Sequence, residues 1–132
     1  MREVLPYLVP TDFPEITRNT LEILQVNLGY LCNLSCTHCH VNAGPTRTEQ
    51  MTKATVDLVL DFISREQIQV VDLTGGAPEM NPHFNYLVMQ ARAMGVTVID
   101  RCNLVILEEA GYEEMDGFLA ENKVVITASL PC

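Results

Sequence analysis

The sequence predicts an α/β chain, a parallel sheet with helices packed on its outside. Short β-branched runs alternate with stretches of helical periodicity, and each run is followed by glycine, cysteine or other loop-forming residues. The order reads β-α-β-α-β-α-β, and right-handed crossovers between parallel strands place the helices outside one sheet. An open doubly wound sheet and part of a barrel both fit that order. The chain has 132 residues, enough for one domain but for only about half of an eight-unit barrel of about 250 residues.

Leu21–Leu28 reads as the first strand, mostly apolar as expected when both faces are covered. Gly29–Pro45 is a long loop rich in Cys, Asn, Gly and Pro. Thr46 and Glu49 have capping-box spacing, and Met51, Val56, Val59, Phe62 and Ile63 then recur at helical intervals as far as Ser64. Ile68–Leu73 is a second strand entering the turn Gly75-Gly76. The next helix has Asn81 as its cap, Pro82 at its first position and Phe84, Leu87, Val88 and Ala91 on one face, and Gly95 ends it. Val96–Asp100 is the third strand. An acidic helical region, broken at Gly111 or Gly117, covers Leu107–Asn122, and Val124–Ser129 is the fourth strand. In such folds the loops after the strands' carboxyl ends carry the chemistry. The cysteine loop, Gly75-Gly76, Arg101-Cys102-Asn103 and the segment from Ser129 to Cys132 therefore share one rim.

Eight Lys and Arg against seventeen Asp and Glu give a net charge of −9. Nucleic acid and anionic membrane surfaces are thus excluded as partners, because both are bound chiefly through cationic groups. Arg2, Glu3, Asp12 and Glu15 among three prolines interrupt any signal-like apolar stretch in residues 1–20, and no later run reaches membrane-spanning length. A cytoplasmic location is expected. Five cysteines, three of them clustered between Cys32 and Cys39, then favour metal ligation over disulfides.

Cys32, Cys36 and Cys39 are spaced C-x3-C-x2-C. A loop with that spacing can turn three soft thiolates toward one point, which selects an iron–sulfur cluster, zinc or copper(I). Three cysteines leave one position open, and an open position is where a substrate or cofactor binds. Structural zinc through the three cysteines and either His38 or His40 is the competing reading. Cys36-Thr37-His38-Cys39-His40 also satisfies the C-x-x-C-H haem-attachment pattern, which would leave Cys32 without a role. Gly75-Gly76 directly after a strand lets the backbone approach a ligand, whose carboxylate or other polar atoms exposed amides can bind. Taken alone, a double glycine after a strand is more often only a tight turn.

Together these motifs resemble the radical S-adenosylmethionine (SAM) enzymes. The resemblance implies a partial barrel of parallel (βα) units that holds a [4Fe–4S] cluster by Cys32, Cys36 and Cys39. The fourth iron would chelate SAM, which the reduced cluster cleaves to methionine and a 5′-deoxyadenosyl radical. By the same resemblance His38 would meet the adenine, Gly75, Gly76, Pro78 and Glu79 the methionine end, and Asn103 and Ser129 other parts of SAM. The family often has Glu directly after the glycines, where this chain has Ala77, with Glu79 two residues on. Asn27-Leu28-Gly29-Tyr30-Leu31, the run from His38 to Pro45, and Thr74-Gly75-Gly76-Ala77-Pro78-Glu79 further resemble the arsenosugar-biosynthesis branch. That branch implies transfer of the adenosyl group to a methylated arsenical, and a reductant such as flavodoxin or ferredoxin.

On this reading residues 1–20 are an amino-terminal extension and residues 21–132 the amino-terminal half of the core domain. The fourth strand would be an apolar edge of Val124, Val125, Ile126 and Ala128, open to pairing with another polypeptide. Half a barrel cannot enclose a radical, so the chain is expected to be inactive alone. A non-catalytic zinc or iron–sulfur module built on the same cysteines is the alternative.

Overall fold

The computed structural model describes residues 5–8, 12 and 16–128. A single helical turn, α1, spans Leu5–Leu8. The body of the chain then runs β1 Ile23–Asn27, α2 Lys53–Glu66, β2 Val70–Thr74, α3 Phe84–Ala93, β3 Thr97–Asp100, α4 Met115–Glu121 and β4 Val125–Ile126. Two 3₁₀ turns, Pro78–Met80 and Val105–Glu108, follow β2 and β3. Among the described residues no helix is long and apolar enough to cross a membrane.

The four strands form one parallel sheet in the order β1-β2-β3-β4. That order decides between the two architectures the sequence allows. A doubly wound sheet reverses direction at a switch point, whereas here every right-handed crossover advances the same way. The sheet is therefore a partial (βα) barrel wall, helices outside and the other face turned inward. On the outer face Val26, Val71, Leu73 and Val98 pack with Val56 and Ile63 of α2 and with Phe84, Leu87, Val88 and Ala91 of α3 in one buried cluster.

Strand period places Gln25, Asn27, Asp72 and Thr74 on the inner face, and these are polar. Gln25 Nε2 donates to Asp72 Oδ2 at 3.0 Å, and Arg101 donates to the same carboxylate from Nε at 2.9 Å and from Nη2 at 2.7 Å. One hydrogen-bonded row thus crosses β1, β2 and the exit of β3. The Arg101 guanidinium, and after it Gln25, hold the Asp72 carboxyl below the ordinary carboxylate range.

Several boundaries differ from the sequence reading. Helix α2 starts after Thr52, whose Oγ1 accepts from Thr55 N–H at 3.4 Å, and not at Thr46. The Glu49 carboxylate is taken by Arg47 at 2.8 Å, and Tyr30 N–H donates to Glu49 O at 2.9 Å, so this segment runs extended beside the start of the cysteine loop. The helix ends at Glu66, past Ser64, on a left-handed Gln67. Helix α3 is preceded by His83, and Pro82 lies ahead of it. Asn81 does receive the His83 N–H at 2.8 Å, but its amide also donates to Leu28 O and Met51 O at 2.9 and 3.0 Å, tying α3 to the loop after β1. The acidic stretch splits at Gly111 (φ +93°) into the 3₁₀ turn and α4, with Gly117 inside the helix. The sheet keeps only Val125–Ile126 of the fourth strand, both exposed, and Ser129 to Cys132 lie outside the described residues.

Phe84 is fully buried, its ring 6.4 Å from that of Phe118 on α4. Phe84→Ala is expected to cost about 3–5 kcal/mol in urea unfolding, from lost apolar transfer and the cavity left behind. Because the Asp72 carboxyl is lowered, it contributes stability above its unfolded value and loses it as pH falls through its folded value. Arg101→Met is expected to lower the urea midpoint at neutral pH, with the two stability curves converging in acid where Asp72 is protonated in both chains.

Candidate functional site

The cysteine loop is closed at its neck by backbone pairing. Cys32 N–H donates to Gly44 O at 3.2 Å, Gly44 N–H to Tyr30 O at 3.0 Å and Tyr30 N–H to Glu49 O at 2.9 Å. The same neck is stapled to the turn after β2, where Gly76 N–H donates to Gly29 O at 2.9 Å and Ala77 N–H to Leu31 O at 3.0 Å. This contact leaves no room for side chains. A Cβ on Gly75, which has φ +141°, would lie 2.6 Å from Gly29 O, and one on Gly76 would lie 2.3 Å from Leu31 O and 2.9 Å from Cys32 Cβ. The glycines thus serve close approach, while two of the amides that the motif could offer a ligand are already donating. The carbonyl oxygens of Gly75 and Gly76 accept no backbone hydrogen bond among the described residues.

Cys32, Cys36, Cys39, His38, Gly75, Gly76 and Asn103 all line one cavity of about 920 Å³, a volume typical of small-molecule sites. Cys32 is buried, Cys39 half-buried and Cys36 exposed. Leu34 N–H and Asn103 Nδ2 donate to Cys32 Sγ at 3.4 and 3.7 Å, and Ala43 N–H donates to Cys39 Sγ at 3.3 Å. Asn103 also donates to Asn33 Oδ1 at 2.8 Å and receives the Ile106 N–H at 3.0 Å, so it braces the loop. Burial raises the Cys32 thiol above its ordinary value, and the neighbouring Cys36 and Cys39 add to that. The three sulfurs share the cavity wall without converging, for among the described residues no trio of ligand atoms within 4.8 Å of one another includes them.

Pro78 and Glu79 are placed differently. Both are buried in the 3₁₀ turn behind the glycines, and neither is among the residues lining the cavity. Glu79 lies instead beside Asp100 and Cys102. Burial, and next the Glu79 carboxylate, push Asp100 up to about 9. The Cys102 thiol is raised by burial and then by Glu79.

The sequence reading missed Gln25, Asn27, Thr74 and Thr127 as cavity residues and placed Arg101 only on the rim. Their signal was legible. Gln25 and Asn27, and Asp72 and Thr74, are polar at alternate positions in or beside strands read as mostly apolar or β-branched, and that alternation marks an inner face lined for a ligand.

The profile of the Radical SAM superfamily matches residues 26–130, a span that begins in β1 and takes in the cysteine loop, the glycine turn and Asn103. The chain is 34% identical over 71 residues to the mycofactocin maturase MftC of Mycobacterium ulcerans, covering 54% of this chain and 19% of that protein. It is 29% identical over 109 residues to the GTP 3′,8-cyclase of Chlorobaculum tepidum, covering 81% of this chain and 32% of the cyclase. It is 41% identical over 54 residues to YydG of Bacillus subtilis, whose name ties it to peptide biosynthesis, covering 40% of this chain and 17% of YydG. The chain thus spans a third or less of the curated relatives it matches. The matched span covers most of the chain and contains the cysteine loop and the glycine turn, and the chain belongs to the radical SAM superfamily.

Proposed function

We propose that this chain is the part of a radical SAM enzyme that binds a [4Fe–4S] cluster and SAM. The observation that carries the proposal is the single cavity shared by Cys32, Cys36, Cys39 and the Gly75-Gly76 turn. The donor set fits the cluster, since soft thiolates receiving N–H hydrogen bonds suit iron–sulfur ligation. Spacing of the sulfurs favours a cluster over one zinc ion. Thiolates around a tetrahedral zinc at about 2.3 Å sit about 3.8 Å apart, whereas these three sulfurs do not all lie within 4.8 Å of one another. In a cluster each thiolate binds a different iron.

When bound, the cluster supplies the electron that opens a sulfonium carbon–sulfur bond, and the chain's own residues prepare the reactants. Cys32, Cys36 and Cys39 would hold it, with Asn103 and the amides of Leu34 and Ala43 steadying two of the sulfurs. The open carbonyls of Gly75 and Gly76 suit the ammonium of SAM, a task that Glu79 cannot share from its buried position. Arg101 lines the cavity, and its Nη1, which makes no hydrogen bond to Asp72, would serve as a donor for a carboxylate. His38 stands exposed at the wall, where an adenine would stack or pair. The finer reading, adenosyl transfer to a methylated arsenical, rests on the resemblance of residues 27–31, 38–45 and 74–79 to the arsenosugar branch.

Anaerobic reconstitution with iron and sulfide is expected to load about four irons per chain, with a spectrum that SAM perturbs. Cys36→Ser is expected to abolish assembly. One tightly held zinc in place of iron, or full iron loading by the serine variant, would overturn the assignment.

A further inference from the structure

One group of side chains remains unused. Glu79, Asp100 and Cys102 bring their ligating atoms within 4.8 Å of one another, and all three are buried. Asp100 is 0% and Glu79 4% exposed, and none of their four carboxylate oxygens has a hydrogen-bond partner among the described residues. The chain treats its other inner carboxylate quite differently, giving Asp72 both Arg101 and Gln25. Buried carboxylates without partners are costly, and natural folds neutralise them with a cation or a proton.

The geometry favours a cation. A proton shared by the pair occupies one oxygen of each carboxylate and leaves Cys102 as a thiol beside Glu79. A divalent ion takes one oxygen from each carboxylate together with the Cys102 sulfur, whose proton it displaces, and so draws on all three groups at once. Two oxygens and a thiolate form a borderline donor set that suits zinc or its neighbours, not magnesium or calcium, which prefer oxygen alone. The donors also stand on firm ground. Asp100 and Cys102 are two residues apart at the end of β3 and so share a face. Glu79 is held in a turn closed by Met80 N–H to Ala77 O and Asn81 N–H to Pro78 O, each 3.0 Å.

We propose that Glu79, Asp100 and Cys102 form a second metal site, holding one divalent cation of the zinc class and tying the turn after Gly75-Gly76 to the end of β3. Cys102 lines the cavity and the two carboxylates do not, so the ion sits in the cavity wall between the glycine turn and Asn103. The site is independent of the iron–sulfur reading and can fail without it.

The test removes the cluster ligands and asks whether a metal still binds. The full chain carrying Cys32→Ser, Cys36→Ser and Cys39→Ser, titrated with Co²⁺ and desalted, is expected to keep about one cobalt per chain with thiolate-to-cobalt absorption. Adding Cys102→Ser is expected to erase that absorption, and adding Glu79→Gln to weaken cobalt binding at least about tenfold. A triple-serine chain that is folded by circular dichroism yet holds no cobalt overturns the proposal, as does binding unchanged by Glu79→Gln. Should any variant fail to fold, the parent chain with its three cysteines already loaded with iron decides. About one zinc retained per chain supports the site, and none overturns it.

Discussion

The contact on which the site depends is a backbone-to-backbone approach across the top of β1 and β2. Gly76 and Ala77 donate to the carbonyls of Gly29 and Leu31, at a separation that a Cβ on Gly75 or Gly76 would breach. Cys32 follows Leu31 directly, so the same contact that seats the glycine turn seats the first thiolate. Each motif is a turn or a loop when considered alone. Once joined they form two walls of one cavity, and the remaining walls come from Asn103 and the exit of β3.

A second constraint is the division of the sheet into an apolar outer face and a polar inner face. Asp72 and Asp100 show what that division does to like side chains. Asp72 points inward, meets Arg101 and is held ionised. Asp100, on the neighbouring strand, points the opposite way, beneath the 3₁₀ turn, and finds Glu79 where a cation would be expected. Parity along a strand, more than distance along the chain, decides which carboxylate is satisfied by the protein itself. The consequence extends to Glu79, which lies close to the glycines in sequence yet belongs to a different compartment from the cavity they line.

Local signals were legible wherever a short-range rule governs. The helical periodicity of Phe84, Leu87, Val88 and Ala91, the strand-helix alternation and the glycine turn after β2 all read correctly, because each depends on neighbours within a turn or two. Misreadings arose where another partner, near or distant in sequence, took a group assigned to a local cap. Arg47 captured the Glu49 carboxylate that would have closed a capping box, and Leu28 and Met51 engaged the Asn81 amide. The polar alternation in β1 and β2 was overlooked because both faces of the strand were expected to be covered, whereas the helices cover only one.

The amino-acid sequence by itself determined the α/β alternation, the loop of clustered cysteines and the glycine turn, since these follow from residue type and spacing. Only the tertiary structure decided that the strands run β1-β2-β3-β4 without a switch point, which makes the sheet a barrel wall. It alone decided that Glu79 turns away from the cavity toward Asp100 and Cys102. Register and strand parity set those outcomes, and both are properties of how separate strands pair, which no single segment encodes.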